Sequence, residues 1–260
     1  MADAGVQGRM LWYELLITDM KAAEKFYSAV VGWTVAPFEG SPQPYDMWMR
    51  DGGVPVGGCM TIPEGMHFPP HWGMYVGVNK LEDAVAAIEK AGGSTLSPVI
   101  EVPGVGRMRT MKDPQGAAFS VYQPETPPPN PEAKAEVGEV SWHELMSTDA
   151  AAGLKFYGGL FGWKERNAMD MGPMGKYYIF GREWDLGGMM NKPKEMAQAP
   201  PHWGLYFRVP DVNQAAEKVK ANGGKVLNGP MEVPGGDWIT MVLDPQGGPF
   251  AVHEMKSAQS

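Results

Sequence analysis

Three side chains in the second half of the chain have the types and surroundings of a reactive set: Glu144 in WHELM, His202 in PPHW and His253 in AVHE. A carboxylate with two imidazoles can hold a divalent metal and leave positions open for a substrate. The same groups can form a metal-free acid/base pair, because imidazole exchanges protons near neutral pH. The first half offers a poorer version, Glu14 in WYELL, His71 in a second PPHW, and Tyr122 where His253 would stand. A catalytic site is therefore expected in the second half, on Glu144, His202 and His253.

Each residue also has a structural reading. A histidine preceded by Pro-Pro can mark the start of a strand and bond the neighbouring backbone. The glutamates demand more, since an ionised carboxylate withdrawn from water without a partner costs several kcal/mol. Arg109, Arg208 or the nearby histidine would serve as partner, in a structural ion pair or beside a catalytic base. His143 has the opposite strand parity from Glu144 and should pack toward a helix, while His67 reads as a solvated loop residue. Trp12, Trp72, Trp142 and Trp203, with Met47, Met49, Met108 and Met241, are either ordinary core or the walls of a pocket for an aromatic ligand. The 20 methionines favour the pocket, since thioethers adapt to irregular apolar shapes. Cys59 has no histidine at a nucleophile's spacing and reads as inert. Gly104-Val105-Gly106-Arg107 lacks the lysine-serine ending of a phosphate loop.

The elements that must position these residues occur twice. Residues 12–33 and 142–163 share 11 of 22 identities at an offset of 130, and PPHWGMYVGV at 69–78 returns as PPHWGLYFRV at 200–209. Leu11 to Ile17 reads as a strand covered on both faces. Asp19 reads as an N-cap, with a helix following and Gly32 ending it, and Asp149 and Gly162 repeat those signals. Strands are expected around residues 47–49 and 54–61, then a strand at 72–78, a helix at 81–91, and a turn at Asp113-Pro114-Gln115-Gly116 before the last strand. Each copy is thus βαβββ twice. The prolines of 123–139 block helix and ladder donors and give an extended connector. Domains are expected at 1–124 and 139–260 with a linker at 125–138. Each carries its own caps and turns, so a chain ending near residue 131 is expected to stay soluble and cooperative.

This pattern, with FY in the first helix, Gly-Trp after it and a DP-x-G turn before the final strand, resembles the vicinal oxygen chelate superfamily over nearly the whole chain. The superfamily includes glyoxalase I, fosfomycin-modifying and bleomycin-binding proteins and extradiol dioxygenases. The resemblance implies an α+β fold of tandem domains, each of two βαβββ modules curling an eight-stranded half-open barrel around a cavity. It also implies metal ligands at Trp12 and Trp142, in 56–58 and 186–188, near Gly73 and Gly204, and at Ser120 and Ala251. None of those side chains suits the task, so no cofactor is expected. A divalent metal on a displaced set, Glu144, His202 and His253, is the alternative. Strand parity puts Glu14, His71 and Tyr122 beside the vacated positions, and Trp12, Glu14, His71, Tyr122, Trp142, Trp203 and Met241 are expected to touch ligand.

Composition narrows the partners. Formal charge is -8 with no long basic run, so nucleic acid is excluded as an expected partner. No apolar run reaches the roughly 18 residues of a membrane span, and the start lacks a basic, then apolar, leader. One cysteine excludes an intramolecular disulfide and fits a reducing, cytoplasmic setting. Two functions follow: a metal-independent binder of a small hydrophobic or aromatic molecule, or a glyoxalase-type lyase or dioxygenase.

Overall fold

The computed structural model describes residues 5–41, 43–128, 134–196 and 198–256. The first copy runs β1 (Met10–Ile17), α1 (Met20–Val30), β2 (Thr34–Pro37), β3 (Tyr45–Arg50), β4 (Val54–Thr61), β5 (His71–Gly77), α2 (Leu81–Lys90), β6 (Ser94–Thr95), β7 (Ile100–Val102), β8 (Gly106–Lys112) and β9 (Ala118–Pro124). The second runs β10 (Val140–Ser147), α3 (Ala150–Phe161), β11 (Lys164–Asp170), β12 (Lys176–Gly181), β13 (Asp185–Asn191), β14 (His202–Arg208), α4 (Val212–Ala221), β15 (Lys225–Glu232), β16 (Trp238–Leu243) and β17 (Pro249–Glu254). The expected repeated βαβββ order is present in the second copy, and in the first with one extra short strand, β7, which makes that sheet nine-stranded rather than eight-stranded. Each copy builds one sheet, in the order β2-β3-β4-β1-β5-β9-β8-β6 with β7 on β8, and β11-β12-β13-β10-β14-β17-β16-β15. No helix among the described residues is long and apolar enough to cross a membrane.

The helices start where the sequence signals them. Asp19 accepts from Ala22 N–H at 3.0 Å and Asp149 from Ala152 N–H at 2.9 Å, each satisfying a donor that the helix cannot. In the second modules the last strand also contributes, Gln123 accepting from Leu81 N–H and Glu254 from Val212 N–H, and α4 has its own N-cap in Asp211, which accepts from Asn213 and Gln214 N–H.

The packing departs from the expectation of self-contained copies. Two compact units cut across the repeat, one of Met1–Trp12, Gly73–Ala133 and His143–Trp203, the other of Tyr13–Trp72, Lys134–Trp142 and Gly204–Ser260. In the latter, Tyr27 of α1 is fully buried among Phe26, Trp33, Trp48, Trp72 and Phe250. Its hydroxyl accepts from Trp72 Nε1–H and donates to Asp244 of the second copy, both at 3.0 Å. In the former, Tyr157 of α3 repeats the arrangement with Trp203 and with Asp113 of the first copy, again at 3.0 Å.

Those aspartates are the first residues of the two DPQG turns, and their other carboxylate oxygen ties the turn down. Asp113 Oδ1 accepts from the N–H groups of Gln115, Gly116 and Ala117, and Asp244 Oδ1 from those of Gln246 and Gly248. A buried carboxylate is tolerable only when paired in this way. Burial pushes both Tyr27 and Tyr157 well above the usual phenol range, and also raises Asp244 against the pull of its donors. Trp72 and Trp203 thus belong to the cores. Trp203 was expected to touch ligand, and its Nε1–H donates to the Tyr157 hydroxyl.

Candidate functional site

The residue with the strongest demand for a partner is Glu144, 7% exposed on β10. Its Oε1 accepts from the Tyr177 hydroxyl of β12 at 2.9 Å, although the sequence had suggested an arginine or a histidine as partner. Those arginines are engaged on backbone: Arg109 Nε–H donates to Ser97 O, and Arg208 to Ala135 O. Strand register explains how tyrosine reaches across. Glu144 stands opposite Gly188 of β13, and Tyr177 opposite Met190, two residues on. The ring lies over the glycine, whose missing Cβ would meet Tyr177 Cζ and Oη at 2.0 Å. Met146 pairs with Met190 on the same face.

The first copy builds the same geometry. Glu14 stands opposite Gly58 of β4, Tyr45 stands opposite Met60, and a Cβ on Gly58 would meet Tyr45 Oη at 2.0 Å. Neither tyrosine was singled out from the sequence. Their offset is 132 rather than 130, because the segment between α and the second strand pair differs in length between copies.

The histidines go elsewhere. His202 Nδ1 lies 2.9 Å from Pro200 O, and His71 Nδ1 lies 2.9 Å from Pro69 O, so Nδ1 carries a proton and donates to the carbonyl in both. His253, 5% exposed, has Nδ1 2.8 Å from Ser141 Oγ and Nε2 3.2 Å from Asp237 Oδ2. The carboxylate can only accept, so Nε2 carries a proton, while the single proton of the Ser141 hydroxyl is within reach of both His253 Nδ1 and, at 3.2 Å, Tyr206 O. Asp237 is itself fixed by Lys256 N–H at 2.7 Å. Burial lowers the His253 pKa, with Asp237 opposing and Arg208 reinforcing.

These placements do not assemble the expected set of Glu144, His202 and His253. His253 stands opposite Arg208, at the far end of β14 from His202. Six residues of strand separate those positions, roughly 20 Å at about 3.3 Å per residue, too far for two imidazoles to share one ion. Among the described residues no group of three or more His, Cys, Asp or Glu side chains is placed to hold a metal.

The remaining candidates sit as follows. Trp12 and Trp142 are half-buried, each two residues before its glutamate on the same strand. Met241 and Tyr206 both stand opposite Ala251, which puts them on one sheet face. Tyr122 donates to Val105 O at 2.9 Å, and burial raises its pKa. Near it, Thr110 and Ser120 share a hydroxyl hydrogen bond at 3.1 Å. His143 is buried, with Nδ1 donating to Leu186 O, and burial lowers its pKa to about 4. Cys59 is buried, and burial pushes its thiol far up, so it is no nucleophile.

Comparison with known proteins agrees with the fold. The Glyoxalase/Bleomycin resistance protein/Dioxygenase superfamily matches residues 139–252, and a glyoxalase-like domain matches residues 14–122. CFP32 of Mycobacterium tuberculosis, named as a glyoxylase, is 31% identical over 260 residues, covering 95% of this chain and 94% of the relative. The anthracycline biosynthesis protein DauV of Streptomyces sp. is 26% identical, covering 96% and 94%. Among solved structures, the Mn(II)-bound glyoxalase of Novosphingobium aromaticivorans superposes with TM-score 0.63 at 17% identity, over 96% of this chain and 82% of that one. A 2,2',3-trihydroxybiphenyl 1,2-dioxygenase from Sphingomonas wittichii gives 0.65 at 13%, over 95% and 90%. Two repeated βαβββ pairs, two matched domains and a relative aligned end to end place the chain in the glyoxalase/bleomycin resistance/dioxygenase superfamily, as a tandem of two such domains.

Proposed function

We propose that the chain binds a small aromatic or hydrophobic molecule on the sheet face that carries Glu144, without a resident metal. The observation that carries this reading is the pairing of Glu144 with a tyrosine hydroxyl, beside Met146 and Met190, where a metal enzyme would have a cluster of ligating side chains. Methionines give an adaptable apolar wall, and the Glu144 carboxylate supplies a polar point that orients the ligand. Covering about 200 Å² of apolar ligand surface at roughly 25 cal/mol per Å² yields about 5 kcal/mol before entropy losses, so micromolar binding needs the polar contact as well. The kinship with an anthracycline biosynthesis protein favours an aromatic ligand.

The test is titration of the purified full chain with aromatic compounds, followed by tryptophan fluorescence, beside metal analysis of protein prepared without chelator. Saturable quenching, weakened by Trp142→Ala, is expected with no stoichiometric metal. The name of CFP32 favours a second reading, a glyoxalase-type lyase. That reading prevails if about one equivalent of Zn, Ni, Mn or Fe is found, is lost in Glu144→Ala, and accompanies turnover of methylglyoxal or catechols.

A further inference from the structure

We propose that Tyr177 and Tyr45 are the specificity-determining residues of two equivalent sites, one in each copy, which select planar aromatic ligands over saturated ones of the same size. This rests on the binding reading above and adds which side chains choose the ligand and how many molecules bind. In each copy a half-buried phenol ring lies over a glycine, in a space that any other residue type would fill. The glycine stands opposite a glutamate in the neighbouring strand, and a methionine stands opposite the tyrosine. In the second copy the hydroxyl is pinned to Glu144.

The chemistry follows from immobilising the ring. A phenol ring fixed at its hydroxyl and backed by a glycine cannot rotate away, so it offers a planar, polarised surface at little entropic cost. Such a surface gains more from an offset-stacked aromatic ring than from a puckered saturated one. The flanking thioether adapts to either and gives bulk affinity without choosing between them. The arrangement occurs twice, on tyrosines at an offset of 132 and glycines at an offset of 130, so the contact has been kept while the intervening chain changed length.

Calorimetric titration of the full chain with 2-naphthol and with decahydro-2-naphthol, which share skeleton and hydroxyl but not planarity, tests this. The unaltered chain should bind two equivalents of 2-naphthol, several-fold tighter than the saturated alcohol. Tyr177→Leu should remove roughly 3- to 10-fold of the 2-naphthol affinity at one site and leave the saturated alcohol nearly unchanged. Tyr177→Phe, which keeps the ring but releases it from Glu144, should lose only part of the preference. Gly188→Ala, which evicts the ring without removing it, should mimic Tyr177→Leu, and serves where the leucine variant fails to fold. Tyr45→Leu should act likewise on the other equivalent. Equal loss of both alcohols in the leucine and alanine variants, no loss of either, or a single equivalent in the unaltered chain would overturn the proposal while leaving the binding reading intact. No binding of either alcohol by the unaltered chain would end both.

Discussion

Tyr122 and His253 stand nine residues after the aspartates of the two DPQG turns, yet they meet different surroundings. Tyr122 reaches back to the carbonyl of Val105, whereas His253 is held between Ser141 and Asp237. His143 and its counterpart Tyr13 differ as well, the histidine buried and bonded to Leu186 O, the tyrosine half-buried. Against this, the chain of Trp, Tyr and Asp is the same in both copies, and so is the glutamate facing a ring-covered glycine. The copies agree where a side chain holds the other copy in place and where the sheet face is built. They differ where a polar group only needs some local partner, because many residue types can meet that need.

The largest effect is expected from separating the copies. A chain ending after residue 131 loses Asp244, Phe207 and Phe250, which contact Tyr27, Trp33 or Trp72, and it uncovers those rings. It should self-associate or aggregate, contrary to the sequence expectation of an autonomous first domain. Sedimentation and denaturant melts decide, and a cooperative monomer would show that the shared core is dispensable.

A second effect belongs to one copy alone. Buried His143 resists protonation until about pH 4, while an unfolded histidine takes a proton near 6.5. The unfolded state therefore binds more protons between those values, so stability present above pH 6.5 is lost as pH falls toward 4, by roughly 3 kcal/mol. His253 shifts in the same direction, whereas the raised carboxyl of Asp244 gives the opposite sign. The informative quantity is thus the difference between the unaltered chain and His143→Gln in urea unfolding at pH 7 and pH 5. A pH dependence unchanged by the substitution would mean that the ring is charged or exposed.

The two copies should respond alike to a third change. Tyr27→Phe leaves Trp72 N–H and Asp244 each one partner short, and Tyr157→Phe does so to Trp203 and Asp113, at about 1–3 kcal/mol each. Unequal costs in urea unfolding would show that only one unit depends on its hydroxyl.

How much of this was legible follows from the range over which each signal acts. Asp19, Asp149 and the DPQG turns are local motifs, and they were readable because their donors lie within four residues. The tyrosines that also hold Asp113 and Asp244 lie 44 and 217 residues away, and no local pattern announces them. Parity identified the strand face of His202 and His253 but not their positions along the strand, so a set of three was expected where the register keeps them apart. Tyr45 and Tyr177 were missed because the 130-residue offset of the repeat fails in that segment.

The smallest expected effect concerns Cys59, whose counterpart in the second copy is Met189. Both sit in the strand next to the first of their copy, Cys59 opposite Leu15 and Met189 opposite Leu145, and both are buried. The thiol pKa is raised, by burial first and then by the acidic groups Asp46 and Glu14, so the thiolate that reacts is scarce at neutral pH. Methionine fills the equivalent space with no ionisable group, which marks the site as one that asks only for a small apolar body. A disulfide reagent such as Ellman's should therefore label the native chain only at the rate of local or global opening, and label one equivalent at once in denaturant. Labelling of the native chain at pH 7 as fast as a free thiol would mean that Cys59 is reactive, and the two strands would then differ in chemistry as well as in side-chain size.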